Sequence, residues 1–234
     1  MQTLGWRKQL RYRRTMTKEL VIAVYNKDYS YWVDRVNNDV KKSVYRKGNA
    51  KPLGANEIRI EPHIGRDIHT FFWHILHRYE TLSDVTFFAQ DFPFDHWGSI
   101  VEDINYSNFT DCTIQIRGFY GHYKPIIDTG LRLVQAGQFD GGNVLKCLSN
   151  GLPHDGVNGV NVDKFWDELF LNEKPQLYEF LPAVHCAITK KQILVRSKDF
   201  YSKIVSLLEQ HPESPWSIER LFLYIFDERF KAKY

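Results

Sequence analysis

The chain has 234 residues, of which 43% are hydrophobic and 15% aromatic, with a formal net charge of +3. That is enough apolar chain for one globular domain, and no apolar run reaches the length of a membrane span. The charge is uneven: residues 1–17 carry Arg7, Lys8, Arg11, Arg13 and Arg14 and no acid, leaving 26 basic and 28 acidic side chains, a net of −2, for the rest. The body therefore lacks the basic footprint of a nucleic-acid binder.

The basic tail interleaves Leu4, Trp6, Leu10 and Tyr12 with its cations. It reads either as a frayed terminus or as a peripheral contact with an anionic membrane surface. The N-terminus has no apolar signal core. Cys112, Cys147 and Cys186 are an odd number without metal-site spacing, so they read as reduced thiols in a cytoplasmic protein. The sequence divides into a tail, 1–17, and one domain, 18–234.

Leu20–Tyr25 is the first strand expected from its apolar, β-branched content, and Asn26-Lys27-Asp28 is a polar turn after it. Tyr31-Trp32-Val33 opens a helix or an irregular segment. Lys42–Arg46 and Glu57–Ile60 are the second and third strands, separated by a turn at Lys47-Gly48-Asn49. A helix is expected over Asp67–Tyr79, where Ile68, Phe71, Phe72, Ile75 and Leu76 form one apolar stripe. Gly65 permits close backbone approach. Arg66, Asp67 and Thr70 lie near the helix start, as an anion site or as plain capping groups.

The stretch Asp84–Trp97 begins with Val85–Ala89, a short buried strand, and then turns polar with Gln90, Asp91, Asp95 and His96. An apolar strand that ends in carboxylates and an imidazole suits a site at the carboxyl edge of an α/β sheet. Asp91, Asp95 and His96 can hold a divalent cation such as Mn²⁺ or Mg²⁺. The plainer alternative is a polar loop whose Asp side chains cap backbone N–H groups.

Ser99–Ile104 reads as helix, Asp111–Arg117 as strand and Gly118–Tyr123 as loop. Residues Gly137–Asn161, with six glycines, read as a long irregular connection that serves as a binding loop or lid. Asp163–Phe170 is a short helix. Phe180–Thr189 is a late strand running into a capping box at Thr189-Lys190-Lys191-Gln192. Ser197 caps a helix to about Glu209, and Ser214-Pro215 opens the last helix, to Phe226. Alternating strands and helices indicate an α/β fold with a mostly parallel central sheet flanked by helices.

Several segments taken in order carry a resemblance: Val-Ile-Ala-Val-Tyr-Asn (21–26), Pro-His-Ile-Gly-Arg-Asp-Ile-His-Thr (62–70), Asp-Val-Thr-Phe-Phe-Ala-Gln (84–90), Pro-Phe-Asp-His (93–96), the run 187–201 and the run 218–226. Together they resemble an uncharacterised family, named only as a domain of unknown function, found in bacteria, fungi and large algal viruses. That family is similar in turn to nucleotide-sugar glycosyltransferases of the Rossmann-like GT-A fold. Its Gly-Arg-Asp element resembles that of rhamnan-synthesis glycosyltransferases.

The resemblance implies transfer of a sugar from a nucleoside diphosphate sugar to a glycan or glycoconjugate acceptor, assisted by Mn²⁺ or Mg²⁺. It implies that Ala23, Tyr25, Asn26 and Asp28 meet the nucleoside, that Gly65, Arg66 and Asp67 lie beside the nucleotide or diphosphate, and that Gln90 begins the metal segment. Asp95 is its principal carboxylate, because relatives often have glycine where Asp91 stands. The chain departs from the GT-A Asp-x-Asp pattern, since Asp91 and Asp95 are four apart, and His63 replaces an asparagine. His154, Asp155 and His185 are candidate bases for the acceptor hydroxyl. The alternatives are a metal-dependent hydrolase or phosphoesterase using Asp91, Asp95, His96 and His154, and a binding module without turnover.

Overall fold

The computed structural model describes residues 15–47, 52, 54, 56–60, 64–95, 97–106, 145–147, 160–180 and 185–234. In chain order the elements are β1 (Lys18–Val24), α1 (Ser30–Val33), β2 (Lys41–Arg46), β3 (Ile58–Arg59), α2 (Arg66–Arg78), β4 (Val85–Gln90), α3 (Ile100–Tyr106), β5 (Leu145–Cys147), α4 (Val162–Leu169), β6 (Tyr178–Phe180), β7 (Cys186–Thr189), α5 (Lys190–Ile193), α6 (Lys198–Gln210) and α7 (Ser214–Ile225). A 3-10 turn, Tyr79–Thr81, follows α2.

Five strands form the main sheet in the order β3-β2-β1-β4-β7. The first four are mutually parallel, and β7 joins the edge antiparallel to β4. The expected mostly parallel sheet is therefore present. From β1 the chain moves outward one way to β2 and β3. It then returns through α2 to place β4 on the other side of β1. The order reverses between β1 and β4, and in open α/β sheets a crevice forms at the carboxyl ends of such a pair.

Both faces of the sheet are covered, as the continuous apolar runs of β1 and β4 require. Leu20, Ile22 and Val24 of β1, with Val85, Phe87 and Ala89 of β4, pack on Trp32 of α1 and on Ile100, Val101 and Ile104 of α3. Val21 and Ala23, with Phe88, face the larger core beneath α2, α6 and α7. Side chains of successive residues point to opposite faces of a strand, so one run serves two cores. Each fully buried Val, Leu, Ile or Phe in them contributes about 1.5–3 kcal/mol.

Local rules set the helix ends. The Thr189 hydroxyl accepts the N–H of Gln192 at 3.3 Å while the Gln192 side chain accepts the N–H of Thr189 at 3.1 Å, which completes the expected capping box. Ser197 Oγ accepts from the N–H of Phe200 at 3.1 Å and caps α6.

Three expectations are corrected. The single late strand Phe180–Thr189 is two: β6 pairs with β5 in a separate antiparallel ribbon, and β7 joins the main sheet. Pro182, which has no N–H for a ladder, stands between them. The connection Gly137–Asn161 holds a strand, β5, within its supposedly irregular length. Thr17, read as tail, is bound to the body: its N–H and hydroxyl donate to Asp84 Oδ2 at 2.8 and 2.9 Å. Asp111–Arg117, Gly118–Tyr123 and residues 1–14 of the tail lie outside the described residues. Among the described residues, no helix is long and apolar enough to cross a membrane. Cys186 is a buried free thiol, and burial pushes its pKa well up.

Candidate functional site

The site is built on the reversal between β1 and β4. Register places Ala23 beside Gln90 on one side and beside Tyr45 on the other, so the three strands end nearly level. Beyond that line β1 releases the segment Tyr25–Asp28 and β4 releases Asp91–Asp95.

Asp91 joins the two. It is buried, and its Oδ2 accepts the backbone N–H groups of Tyr25, Asn26 and Lys27 at 3.0, 3.1 and 3.0 Å. Its carbonyl accepts the indole N–H of the buried Trp32 at 3.0 Å. A strand that ends leaves N–H groups without ladder partners, and here a single carboxylate oxygen from the neighbouring strand takes three of them. Asp91 is thus a fastener of the β1 loop. This is nearer the capping alternative than the metal one, although the capped amides are more than sixty residues away in sequence.

Asn26 is exposed on that loop, and Asp28 next to it accepts the N–H and hydroxyl of Ser30 at 2.8 and 2.6 Å. Tyr25 is half-buried. Burial, and after it the neighbouring Asp67, push its phenol well up. The same interaction places Arg66, Asp67 and Asp91 within electrostatic reach of one hydroxyl.

The α2 start lies on the same edge, since it follows the carboxyl end of β3. Gly65 (φ 70°) and Arg66 (φ 53°) are both left-handed. A Cβ on Gly65 would stand 2.6 Å from His69 Cβ, so glycine is required there. Arg66 is exposed and sets its guanidinium over the Trp216 ring of α7, 5.4 Å from its centroid. Asp67 is half-buried, and burial raises its carboxyl pKa. At the start of α2 the Asp67 Oδ1 accepts the N–H of Ile68 at 3.0 Å.

Gln90 turns its amide to the Phe92 carbonyl at 2.9 Å and to Asp95 Oδ1 at 3.4 Å, which keeps the exposed Asp95 carboxylate over the end of β4. His185 is buried and immediately precedes Cys186, which pairs with Phe88. Because β7 runs antiparallel, its first residues reach the carboxyl edge, and His185 lies beside the end of β4. The edge therefore assembles Ala23, Tyr25, Asn26, Asp28, Gly65, Arg66, Asp67, Gln90, Asp91, Asp95 and His185. His96, His154 and Asp155 lie outside the described residues.

Three contributors escape sequence reading. Lys47, placed in a turn, is wholly buried, with its ammonium on the carbonyls of Ile64 and Arg66. Arg46 makes a two-pronged pair with Glu57, whose Oε1 also accepts the Tyr29 hydroxyl at 2.6 Å. Buried charges need such partners, but their partners come from crossings that spacing along the chain does not announce. The Lys-Gly step at 47–48 was the available signal at the end of β2.

Among the described residues no three His, Cys, Asp or Glu side chains gather as a metal-holding group. Asp91 has given one oxygen to three amides; of the expected metal ligands, Asp95 is the other one described, and it is exposed. An ion such as Mg²⁺ can be held by one or two carboxylates when substrate phosphates supply further ligands. The described carboxylates fit a metal that would arrive with a phosphorylated substrate.

No curated protein and no solved structure matches the chain. Residues 20–108, the segment that runs from β1 through α3 and carries the Asp91 fastener and the Gly65–Arg66 step, match the family described as "Protein of unknown function (DUF3431)".

Proposed function

We propose that this protein is a GT-A-like glycosyltransferase, moving a sugar from a nucleoside diphosphate sugar to a glycan or glycoconjugate acceptor. The observation that carries the reading is the fastening of the β1 loop to the end of β4 by Asp91, beside the left-handed Gly65–Arg66 step. Asp91 thereby holds two segments together at the sheet reversal, and the Gly65–Arg66 step follows β3 on the same edge. A nucleotide needs such a frame: a polar loop for its nucleoside, and a cation with helix N–H groups for its phosphates.

In this reading Ala23, Tyr25, Asn26 and Asp28 line the nucleoside side, and Gly65, Arg66 and Asp67 the diphosphate side. Glycosyl transfer leaves a diphosphate with growing negative charge. Arg66 offers a fixed positive charge to it, and Mn²⁺ or Mg²⁺ held by Asp95 with the substrate phosphates would neutralise the rest. His185 is the described candidate base for the acceptor hydroxyl, since a neutral imidazole can take that proton. The alternative hydrolase needs Asp91 as a metal ligand, and its three amide bonds weigh against that use.

The test is a panel of UDP, GDP and dTDP sugars with Mn²⁺, read first as thermal stabilisation and then as nucleotide release with an acceptor present. A ligand at a hundred times its dissociation constant stabilises by about 2.7 kcal/mol. Stabilisation by one nucleoside diphosphate sugar, with release of its nucleotide, supports the reading. No stabilisation by any donor overturns it.

A further inference from the structure

Lys47 is the first residue after β2, and it is tied at both ends. Its backbone N–H donates to the carbonyl of Val24, the last residue of β1, at 2.9 Å. Its side chain is buried and reaches the start of α2. There Nζ donates to the Ile64 carbonyl at 2.6 Å and to the Arg66 carbonyl at 2.8 Å, and lies 2.9 Å from Nδ1 of His69. A buried amine needs acceptors, and these three all belong to the segment 64–69. One residue therefore joins the end of β1 to the Gly65–Arg66 step.

The two carbonyls on Nζ flank Gly65. Gly65 and Arg66 are the positive-φ residues among those described. An arginine in the left-handed region is sterically disfavoured and persists only where its surroundings impose it. Turning Arg66 to ordinary helical φ would carry its carbonyl off Nζ. The Gly65 carbonyl, between the two, accepts the His69 N–H at 3.0 Å and begins the α2 ladder. An ammonium donates to His69 Nδ1, which puts the ring proton on Nε2, 3.2 Å from Oε1 of Glu209 on α6. Two N–H groups are enough for two carbonyls, so Lys47 holds them whether the amine carries two protons or three.

We propose that Lys47 is a positioning residue: its backbone N–H and its Nζ brace the left-handed Gly65–Arg66 step against the end of β1, and so set where the Arg66 guanidinium stands. Asp91 fastens the β1 loop to β4; Lys47 fastens the α2 start to β1. The two ties together make one frame of β4, β1 and α2. Lys47 is wholly buried and acts through Arg66, which is exposed and lies over the Trp216 ring. That the guanidinium meets a diphosphate rests on the functional reading above. The brace itself does not.

The brace is tested without ligand. Lys47→Met keeps a long apolar stem in the buried position and removes the side-chain donors. In the folded variant, amide hydrogen exchange at His69, whose N–H is held by the Gly65 carbonyl, should quicken at least tenfold relative to the amides of β4. Exchange at His69 that keeps its wild-type rate would overturn the brace. In the wild type at pH 6, NMR should show scalar couplings from Lys47 Nζ across its hydrogen bonds to the carbonyl carbons of Ile64 and Arg66. Absence of both couplings would overturn the brace, whether or not Lys47→Met folds.

Action through Arg66 is read by a double-mutant cycle over Lys47→Met and Arg66→Ala, titrated with UDP, GDP and dTDP in turn, each with Mn²⁺. For the nucleotide that binds, each single variant should raise the dissociation constant at least tenfold. The double variant should bind no more than twofold worse than the weaker single variant, because the brace has nothing left to position once the guanidinium is gone. A loss unconnected with Arg66 would multiply the two factors instead. That result, or wild-type affinity in folded Lys47→Met, would overturn the positioning role. A wild type that binds none of the three nucleotides removes the functional reading, and the exchange at His69 and the Nζ couplings then decide the brace by themselves.

Discussion

Asp91 and Asn26 lie sixty-five residues apart, yet Asp91 Oδ2 accepts the Asn26 backbone N–H at 3.1 Å, the middle one of three successive amides held by one oxygen. The relationship makes β4 the keeper of the loop that leaves β1. Asp91→Ala should leave three amides with neither ladder nor carboxylate. Loss of a buried charged acceptor costs about 3 kcal/mol, so the chemical-denaturation midpoint should fall by a corresponding amount and exchange in residues 25–27 should quicken. Asp91→Asn, which keeps one oxygen acceptor, should lose less. Equal stability of wild type and Asp91→Ala would deny the fastener its role.

Gly65→Ala places a side chain where φ is +70° and where its Cβ would meet His69 Cβ at 2.6 Å. The left-handed conformation alone costs a non-glycine residue about 1–2 kcal/mol, and the contact adds to it. The variant should melt several degrees lower, and an unchanged melting temperature would mean that the α2 start is not held in this conformation.

Stability should rise with pH in two windows. His69 and His74 are buried, and burial first of all draws each from the ordinary 6.5 to about 4. Their folded values are depressed, so the unfolded chain binds more protons between about 4 and 6.5. The stability they supply is complete above 6.5 and lost as pH falls through 4. Lys47, depressed from 10.5 to about 7, adds a second rise between those values. Denaturation midpoints from pH 4 to 10 should climb through both windows, and Lys47→Met should abolish the upper rise. A wild-type stability that falls steadily from pH 7 to 10 would contradict the buried ammonium.

Asp95→Asn keeps the size of an exposed side chain and removes its charge. Folding should change little. Transfer should fall by orders of magnitude, because several kcal/mol of stabilisation of the departing diphosphate is about a thousandfold in rate. Turnover and Mn²⁺ affinity, measured with nucleotide present, check this. Wild-type values in Asp95→Asn would remove Asp95 from the site.

What the sequence reveals follows what is local. β1, β2 and β4, the stripe of α2, the Thr189 capping box and the Ser197 cap are written in adjacent residues, and they form within a residue or two of the expected bounds. The convergence of Tyr25, Gly65, Arg66, Gln90 and Asp95 on one edge follows from strands that alternate with helices. The role of Asp91 is different. An aspartate after a strand has the same composition whether it binds a metal or an amide, and only the level ends of β1 and β4 decide. Lys47 and the Arg46–Glu57 pair are hidden for the same reason, since the segments that bury them come from crossings of parallel strands. The separation of β6 from β7 depends on two different sheets competing for one apolar run.

The central claim is that a nucleoside diphosphate sugar binds at this carboxyl edge against Arg66. Calorimetric titration of the donor identified by the panel, into wild type and Arg66→Ala at pH 6.5 with Mn²⁺, tests it most directly. The account predicts saturable binding to wild type and an affinity at least tenfold weaker, about 1.4 kcal/mol, in a folded Arg66→Ala. Equal affinity in the two proteins, or no binding to the wild type at millimolar donor, would contradict it.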